Sequence, residues 1–264
     1  MCDLSQKIAV GYIARGADQD WFSSCKRFIQ SYKRHRSGVE HVLYIIFKGF
    51  ASDVDLESAK DLFRSVSHKA VFLRDDRFDI GAYIEWANAI EEKLICPLCT
   101  SSEILAPDWL LKLSINLSIQ GVGLVGSTAS YESLRNLNST FPRFPNFHIR
   151  SSAFMIDRKL FCQITKGIEI ITKMNAYAFE SGAMGLTRKI LTKGQDVLLV
   201  GANGRGYSPR FWSDSDTFRQ GYQNNLLVAD NQTRTFSRLR CDEKIKFIKL
   251  TWGKYIYDDK FIKI

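Results

Sequence analysis

Two spacings in this sequence have the outline of chemical motifs, and neither develops into one. Cys96-Pro-Leu-Cys99 sets two thiols as a zinc or redox site would. Zinc needs four converging ligands, yet no second pair follows, and the histidines are His35, His41, His68 and His148 alone. Gly201-Ala-Asn-Gly204-Arg-Gly206 has the glycines of a phosphate cradle, but it runs into Tyr207-Ser208-Pro209 instead of opening a helix, so it reads as a tight loop. What remains is a set of polar turns, each behind an apolar run: Arg15–Asp18, Lys48-Gly49, Asp75–Asp79 and Thr100–Glu103. Further on, His148 and Arg150 alternate on an expected strand and point to one side, toward a cleft if Ile149 enters the core. A satisfied core histidine is the other reading of His148.

The elements that must position these groups follow from periodicity. Residues 7–14 read as a buried strand, and Trp21–Arg34 as a helix with Trp21, Cys25, Phe28, Ile29 and Tyr32 on its inner side. Residues 41–47 have the continuous apolar, β-branched character of an inner parallel strand. Then come a helix over 55–66, a strand over 70–74, a helix over 81–93, a strand over 94–99, a helix over 107–119 with Pro107 in its first turn, and a strand over 121–126. This alternation predicts an open, mostly parallel α/β sheet. Ligands of such sheets bind at the carboxyl ends of the strands, where the four polar turns fall. Residues 127–147, dense in Ser, Asn and Pro, read as a loop over a cleft. A strand over 149–156, helices over 158–166 and 183–193, and a strand over 196–200 complete the regular part. Asp230–Arg234 reads as a polar turn, and helical, aromatic segments finish the chain. Nothing marks a repeat or linker, so residues 1–264 are expected to form one domain.

The chain has 264 residues, of which 45% are hydrophobic, 25% charged and 12% aromatic, which excludes disordered, collagen-like and coiled-coil classes. Its 37 basic and 28 acidic residues give a formal charge of +9, favouring anionic partners. The cations are not gathered on one stripe and no nucleic-acid-binding motif is present, which argues against nucleic acid. No stretch reaches the ~18–20 apolar residues of a spanning helix, and the start, Met1–Val10, lacks the apolar core of a secretory signal. Six scattered cysteines, five of them read as small buried hydrophobes, suit a reducing cytosol.

Six segments, in order, resemble the nucleotide-sugar-dependent glycosyltransferases of the GT-A fold, the large family 2 type. More narrowly, they resemble bacterial enzymes of lipopolysaccharide, capsule and rhamnan synthesis. They are Val10-Gly-Tyr-Ile-Ala-Arg-Gly16, Phe78-Asp-Ile-Gly-Ala-Tyr83, Cys99-Thr-Ser-Ser-Glu-Ile-Leu-Ala-Pro-Asp-Trp-Leu110, Phe147-His-Ile-Arg-Ser-Ser-Ala-Phe-Met-Ile-Asp-Arg158, Phe179-Glu-Ser-Gly182 with Leu186-Thr-Arg188, and Val228-Ala-Asp-Asn-Gln-Thr-Arg234. The resemblance spans about residues 7–235. It implies a Rossmann-like sheet flanked by helices, with an irregular helical and loop C-terminal part. A nucleotide-sugar-binding half would cover about 1–126, and an acceptor and catalytic half about 127–264.

The resemblance also implies roles. Ala14, Arg15 and Gly16 would pack on the donor's base and ribose. Asp79, ahead of Gly81-Ala82, would accept from a uracil or thymine imide N–H or a sugar hydroxyl; the alternative for Asp79 is a helix N-cap. The family's metal-binding Asp-x-Asp falls on Thr100-Ser101-Ser102, and neutral hydroxyls do not hold a hard divalent cation as carboxylates do. Either a weakly bound Mn or Mg ion rests on Glu103, or cations of the protein neutralise the donor diphosphate. Arg15, Lys48, Arg150 and Arg234 are the candidates for the second arrangement, with Thr100 and Ser102 on the donor side. Glu180 stands where the family places a catalytic acid before a helix bearing Arg188, and would take the acceptor's proton; facing a helix amino end is its other reading. Asp157 and Asp230 are the fallback bases. His148 and Glu132 fall on the acceptor side. The activity implied is transfer of a hexose or deoxyhexose from a UDP- or dTDP-linked donor to a glycan hydroxyl, the acceptor free or lipid-linked, during cytoplasmic assembly of surface polysaccharide. A non-catalytic nucleotide-sugar- or glycan-binding module of the same fold is the alternative. The basic tail from Lys244 mixes Lys with Ile, Phe and Trp. It reads either as a packed helix with a solvated cationic face or as a segment lying on an anionic membrane.

Overall fold

The computed structural model describes residues 7–255. In chain order the elements are β1 (Ile8–Arg15), α1 (Trp21–Arg34), β2 (Val42–Lys48), α2 (Asp53–Phe63), β3 (Lys69–Phe72), α3 (Phe78–Ala89), β4 (Leu94–Leu98), β5 (Glu103–Ile104), α4 (Trp109–Leu117), β6 (Val122–Gly126), β7 (Ala129–Ser130), β8 (His148–Ile149), β9 (Phe154–Asp157), α5 (Arg158–Thr165), α6 (Lys173–Ser181), α7 (Leu186–Thr192), β10 (Asp196–Val200), β11 (Gly206–Tyr207), β12 (Val228–Ala229), α8 (Asn231–Arg238) and α9 (Cys241–Trp252). The main sheet has eight strands in the order β11-β10-β6-β9-β4-β1-β2-β3. β3, β2, β1 and β4 run parallel, as do β6 and β10. β9 runs antiparallel to both of its neighbours, β4 and β6.

Alternation along β1 builds a core on each face. Ile8, Val10, Tyr12 and Ala14 pack with α1 residues Cys25 and Phe28 on one side, while Ala9 and Ile13 face Trp86 and Tyr83 of α3 on the other. Each face buries tens of side chains' worth of apolar surface, and that burial is the main force holding the layers together.

Several boundaries differ from expectation for identifiable reasons. α3 begins at Phe78, three residues earlier than the periodicity predicts, and no side chain caps it. Its start is held from below, where Lys48 Nζ donates to the Phe78 carbonyl at 2.8 Å. Pro107 is not in the first turn of α4; that helix starts at Trp109 behind Asp108 in a left-handed conformation. The strand expected over 149–156 is two strands, β8 and β9, in different sheets and separated by a turn at Ser151-Ser152. α6 was not foreseen at all, and the helix expected over 183–193 shortens to α7. Asp230–Arg234 is not a free turn but a helix start: the Asp230 carboxylate accepts from the Thr233 amide at 2.8 Å, and the Thr233 hydroxyl accepts from the Asp230 amide. In the tail, α9 buries Ile248, Thr251 and Trp252 and exposes Lys246 and Lys249, which is the packed-helix reading. The part of that tail beyond 255 and the first six residues, Cys2 among them, lie outside the described residues. Cys25 and Cys96 are buried and Cys99 and Cys162 partly so, whereas Cys241 is exposed.

Candidate active site

A cavity of about 680 Å³ opens where β1 and β4 end. Its walls come from the turn after β1, the first turn of α3, the residues after β4, the turn between β8 and β9, one side of α6 and the amino end of α8. On α6 the inward residues are Lys173, Ala176, Tyr177 and Glu180, spaced as one helical face requires.

Of the residues singled out in the sequence, Arg15, Asp79, Thr100, Arg150, Glu180 and the fallback base Asp230 line this cavity, as does Asp18 of the first polar turn. Glu180 lies in the last turn of α6, so it faces no helix amino end. Its Oε2 accepts from the Ser151 amide at 2.6 Å and from the Ser151 hydroxyl at 2.5 Å. Its other oxygen has no hydrogen-bond partner among the described residues. Arg150 Nη1 stands 2.7 Å from Asp230 Oδ2, both side chains being buried, and its guanidinium lies 4.0 Å from the centre of the Phe218 ring. Burial alone would push the Asp230 carboxyl up, but Arg150 and the Thr233 amide outweigh it and hold the group below its usual value. The reciprocal pull of Asp230 and Glu180 outweighs burial at Arg150 and raises its value.

Asp79 does not cap α3. It is a half-buried acid of the first helical turn, raised by burial and by nearby Asp18 against the opposing pull of Lys48 and Arg15. Arg15 is occupied: it donates to Asp75 through Nε and Nη2, at 2.9 and 2.8 Å, and to Asp18 at 2.6 Å. Thr100 forms floor. Its carbonyl accepts from the buried Tyr12 hydroxyl at 2.7 Å, and its own hydroxyl is buried without a partner. The neighbouring Cys99 thiol is pushed up to about 11 by burial, too weak an acid to be a nucleophile at neutral pH.

The other expected residues stand elsewhere. Ala14 is a core residue beneath the turn. At Gly16 a Cβ would fall 2.5 Å from the Phe50 ring and 2.7 Å from its Cα, so packing alone requires the glycine, and it is not among the residues lining the cavity. Gly81 answers to the Arg77 side chain in the same way. Lys48 is wholly buried under the cavity floor, between the Phe78 carbonyl and Asp75 Oδ1 at 3.1 Å, and cannot reach a phosphate. Ser102 is buried against Cys99 Sγ and the Ser152 carbonyl. Arg234 points at the Ser101 carbonyl, 2.9 Å, and at Glu103, 3.4 Å. Glu103 is thereby engaged outside the cavity, with Arg27 4.0 Å from the same carboxylate oxygen. His148 is the core histidine: it is buried, bonded through Nδ1 to the Asn146 carbonyl at 2.8 Å, and depressed by desolvation. Glu132 pairs with Arg219 at 3.1 Å, away from the lining. The fallback Asp157 caps α5.

Sequence reasoning missed Ser151, Lys173, Tyr177 and the acid Asp20, all of which line the cavity. For α6, the usable signal was Thr172-x-x-Asn175, a reciprocal cap in which each side chain bonds the other's amide, at 3.1 and 2.9 Å. Counting charges, Asp18, Asp20, Asp79, Glu180 and Asp230 face Arg15, Arg150 and Lys173. The Asp-x-Asp position offers hydroxyls only, Glu103 is turned away, and among the described residues no three His, Cys, Asp or Glu side chains gather to hold an ion. This donor set does not fit a divalent cation chelated by the protein in the way the resemblance implies.

The comparisons with known proteins agree with this architecture. No family model matches the chain, and no curated protein matches its sequence. Solved structures do match. Mouse xyloside xylosyltransferase 1 is similar with a TM-score of 0.52 at 12% identity, over 87% of this chain and 99% of that one. The 4-diphosphocytidyl-2C-methyl-D-erythritol synthase of Anaerococcus prevotii is similar with a TM-score of 0.50 at 12% identity, over 79% and 90%. GalNAc-T7, determined with UDP, GalNAc and Mn2+, is similar with a TM-score of 0.50 at 13% identity, over 74% of this chain and 42% of that one. The chain therefore has a GT-A-like α/β fold, a mostly parallel sheet flanked by helices. Among the described residues, no helix is long and apolar enough to cross a membrane.

Proposed function

We propose that this chain is a glycosyltransferase that moves a sugar from a nucleoside diphosphate donor to a hydroxyl acceptor. The observation that carries the reading is Glu180: a carboxylate fixed through one oxygen, with the other unpartnered, in a cavity at the carboxyl ends of β1 and β4. Among the similar structures, one is a xylosyltransferase by name and another, GalNAc-T7, was determined with UDP and GalNAc.

In the proposed reaction the acceptor oxygen attacks the anomeric carbon as its proton passes to Glu180. The bond from that carbon to the diphosphate breaks on the opposite face, which inverts the configuration. Asp79 accepts from the base or a sugar hydroxyl. Lys173 and Arg150 meet the diphosphate. The donor carries uridine or thymidine, and the sugar is a hexose or deoxyhexose. The acceptor is a glycan of surface polysaccharide, free or lipid-linked. This wider setting is supported by the six resembling segments.

Two measurements test the core of the proposal. Glu180→Gln lowers transfer by ~10²–10⁴-fold while donor affinity stays within about twofold; a Gln variant with wild-type turnover refutes the assignment. Transfer proceeds in EDTA, and a requirement for added Mn or Mg ions refutes neutralisation by protein cations. The hydroxyls at the Asp-x-Asp position favour one rival, a binding module that keeps the fold. Donor that raises the melting temperature yet never releases nucleoside diphosphate establishes that rival instead.

A further inference from the structure

Glu180 is held in a place that does not favour a carboxylate. It occupies the last turn of α6, where unpaired carbonyls give the helix its negative end. No Lys or Arg bonds to it among the described residues; its partners are the amide and hydroxyl of Ser151. Both donate to the same oxygen. That arrangement holds Oε2 in place, and leaves the remaining oxygen without a hydrogen-bond partner among the described residues, on a side chain that lines the cavity.

Ser151 is itself pinned. It sits in the turn between β8 and β9, and its neighbours anchor that turn on two sides. The Arg150 amide donates to the Thr128 carbonyl at 3.0 Å, and the Cys99 amide donates to the Ser152 carbonyl at 3.0 Å. The Arg150 side chain reaches Asp230 at the start of α8. Other charged or titratable groups around Glu180 are Arg150 on this turn, His148 in β8, Tyr83 on α3, and Lys173 and Tyr177 on its own helix. None makes a hydrogen bond to its carboxylate.

We propose that Ser151 is a positioning residue for the transfer reaction, clamping one oxygen of Glu180 so that the other meets the acceptor hydroxyl. The inference rests on the glycosyltransferase reading. It acts through geometry: two donors on one oxygen orient a carboxylate better than one, and a base out of line by about an ångström loses much of its effect.

Two measurements separate this inference from the reading it rests on. By NMR on the full chain, the Ser151 amide proton resonates downfield, as an amide bonded to a carboxylate does, and moves upfield in Glu180→Gln. An amide that ignores Glu180→Gln overturns the clamp. By kinetics, Ser151→Ala lowers kcat about tenfold while KM for the donor stays within about twofold, and Ser151→Thr, which keeps the hydroxyl, restores most of it. In the Glu180→Gln background Ser151→Ala causes no further loss, because the two residues act as a unit. An additive loss, or a raised KM with unchanged kcat, overturns the positioning role. A downfield amide in a chain that turns over no donor upholds the clamp and overturns the glycosyltransferase reading.

Discussion

Lys48→Met probes the cavity floor most directly. The lysine side chain is fully buried, with Nζ 2.8 Å from the Phe78 carbonyl and 3.1 Å from Asp75 Oδ1. Methionine fills much of the same volume, so the change is chiefly electrostatic. A hydrogen bond from a charged donor contributes ~1.5–3 kcal/mol. Removing one partner of a buried ion pair costs ~3–5 kcal/mol, but Asp75 is 19% exposed and keeps Arg15, so only a small part of that applies. The sum is ~2–4 kcal/mol. At ~2–4 °C per kcal/mol for a chain of this size, the melting temperature falls by about 5–15 °C. Calorimetry measures the fall, and a double-mutant cycle with Asp75→Asn gives a coupling of ~1–3 kcal/mol. Phe78 carries a positive φ of 42° at the entry to α3, a conformation that bulky side chains avoid and that the Lys48 bond helps to hold. Donor affinity therefore falls with stability, because Asp79 is the next residue. A loss below about 0.5 kcal/mol, with Lys48 and Asp75 uncoupled, would refute this account of the floor.

Two further expectations follow from packing and burial. Gly16→Ala places a Cβ against the Phe50 ring and main chain, an overpacking that costs ~1–3 kcal/mol in urea unfolding; unchanged stability would return Gly16 to a donor-contact role. Burial of His148 depresses its value, so the unfolded chain takes up a proton from about pH 6.5 downward while the folded chain does not. Stability is thus present above that pH and lost as pH falls toward the depressed value. His148→Gln makes unfolding free energy less dependent on pH between 7 and 5. The dependence is not abolished, since burial depresses His41 as well; identical slopes in the two proteins would contradict the assignment.

The sheet was legible because its strands are short apolar runs separated by polar turns, and β1, β2, β4 and β10 fall within a residue or so of expectation. α1 was read to its ends, since its inner face is strongly periodic and Lys33 and Arg34 close it. Beyond β6 the text thins. β8 and β9 look like one strand in sequence, because nothing local tells Arg150–Ser152 to turn; the turn is imposed by Thr128 and Cys99, distant in the chain. α6 was illegible because its burial is limited to Ala176, Phe179 and Ser181 and its cap uses Thr and Asn in place of the commoner acid. Among the expected site residues, those defined by charge alone were the least transferable. Lys48 and Arg234 are cations near the right rim, but tertiary partners, Asp75 and Glu103, turned them away from the cavity.

The reversed direction of β9 has a consequence for how this molecule can vary. In a wholly parallel sheet, every rim loop leaves a strand and must lead into the next crossover. Here Ala153 bridges Leu98, so the beginning of β9, not its end, shares the rim with β4. The turn just ahead of it, Ser151-Ser152, therefore lines the hollow without leading into a crossover. Residues 131–147 line no part of the hollow and are anchored inward by the buried Tyr131 and Asn146, so a change in what the mouth admits would have to come from that short turn and the rims it faces, not from the long loop the sequence suggested as its cover.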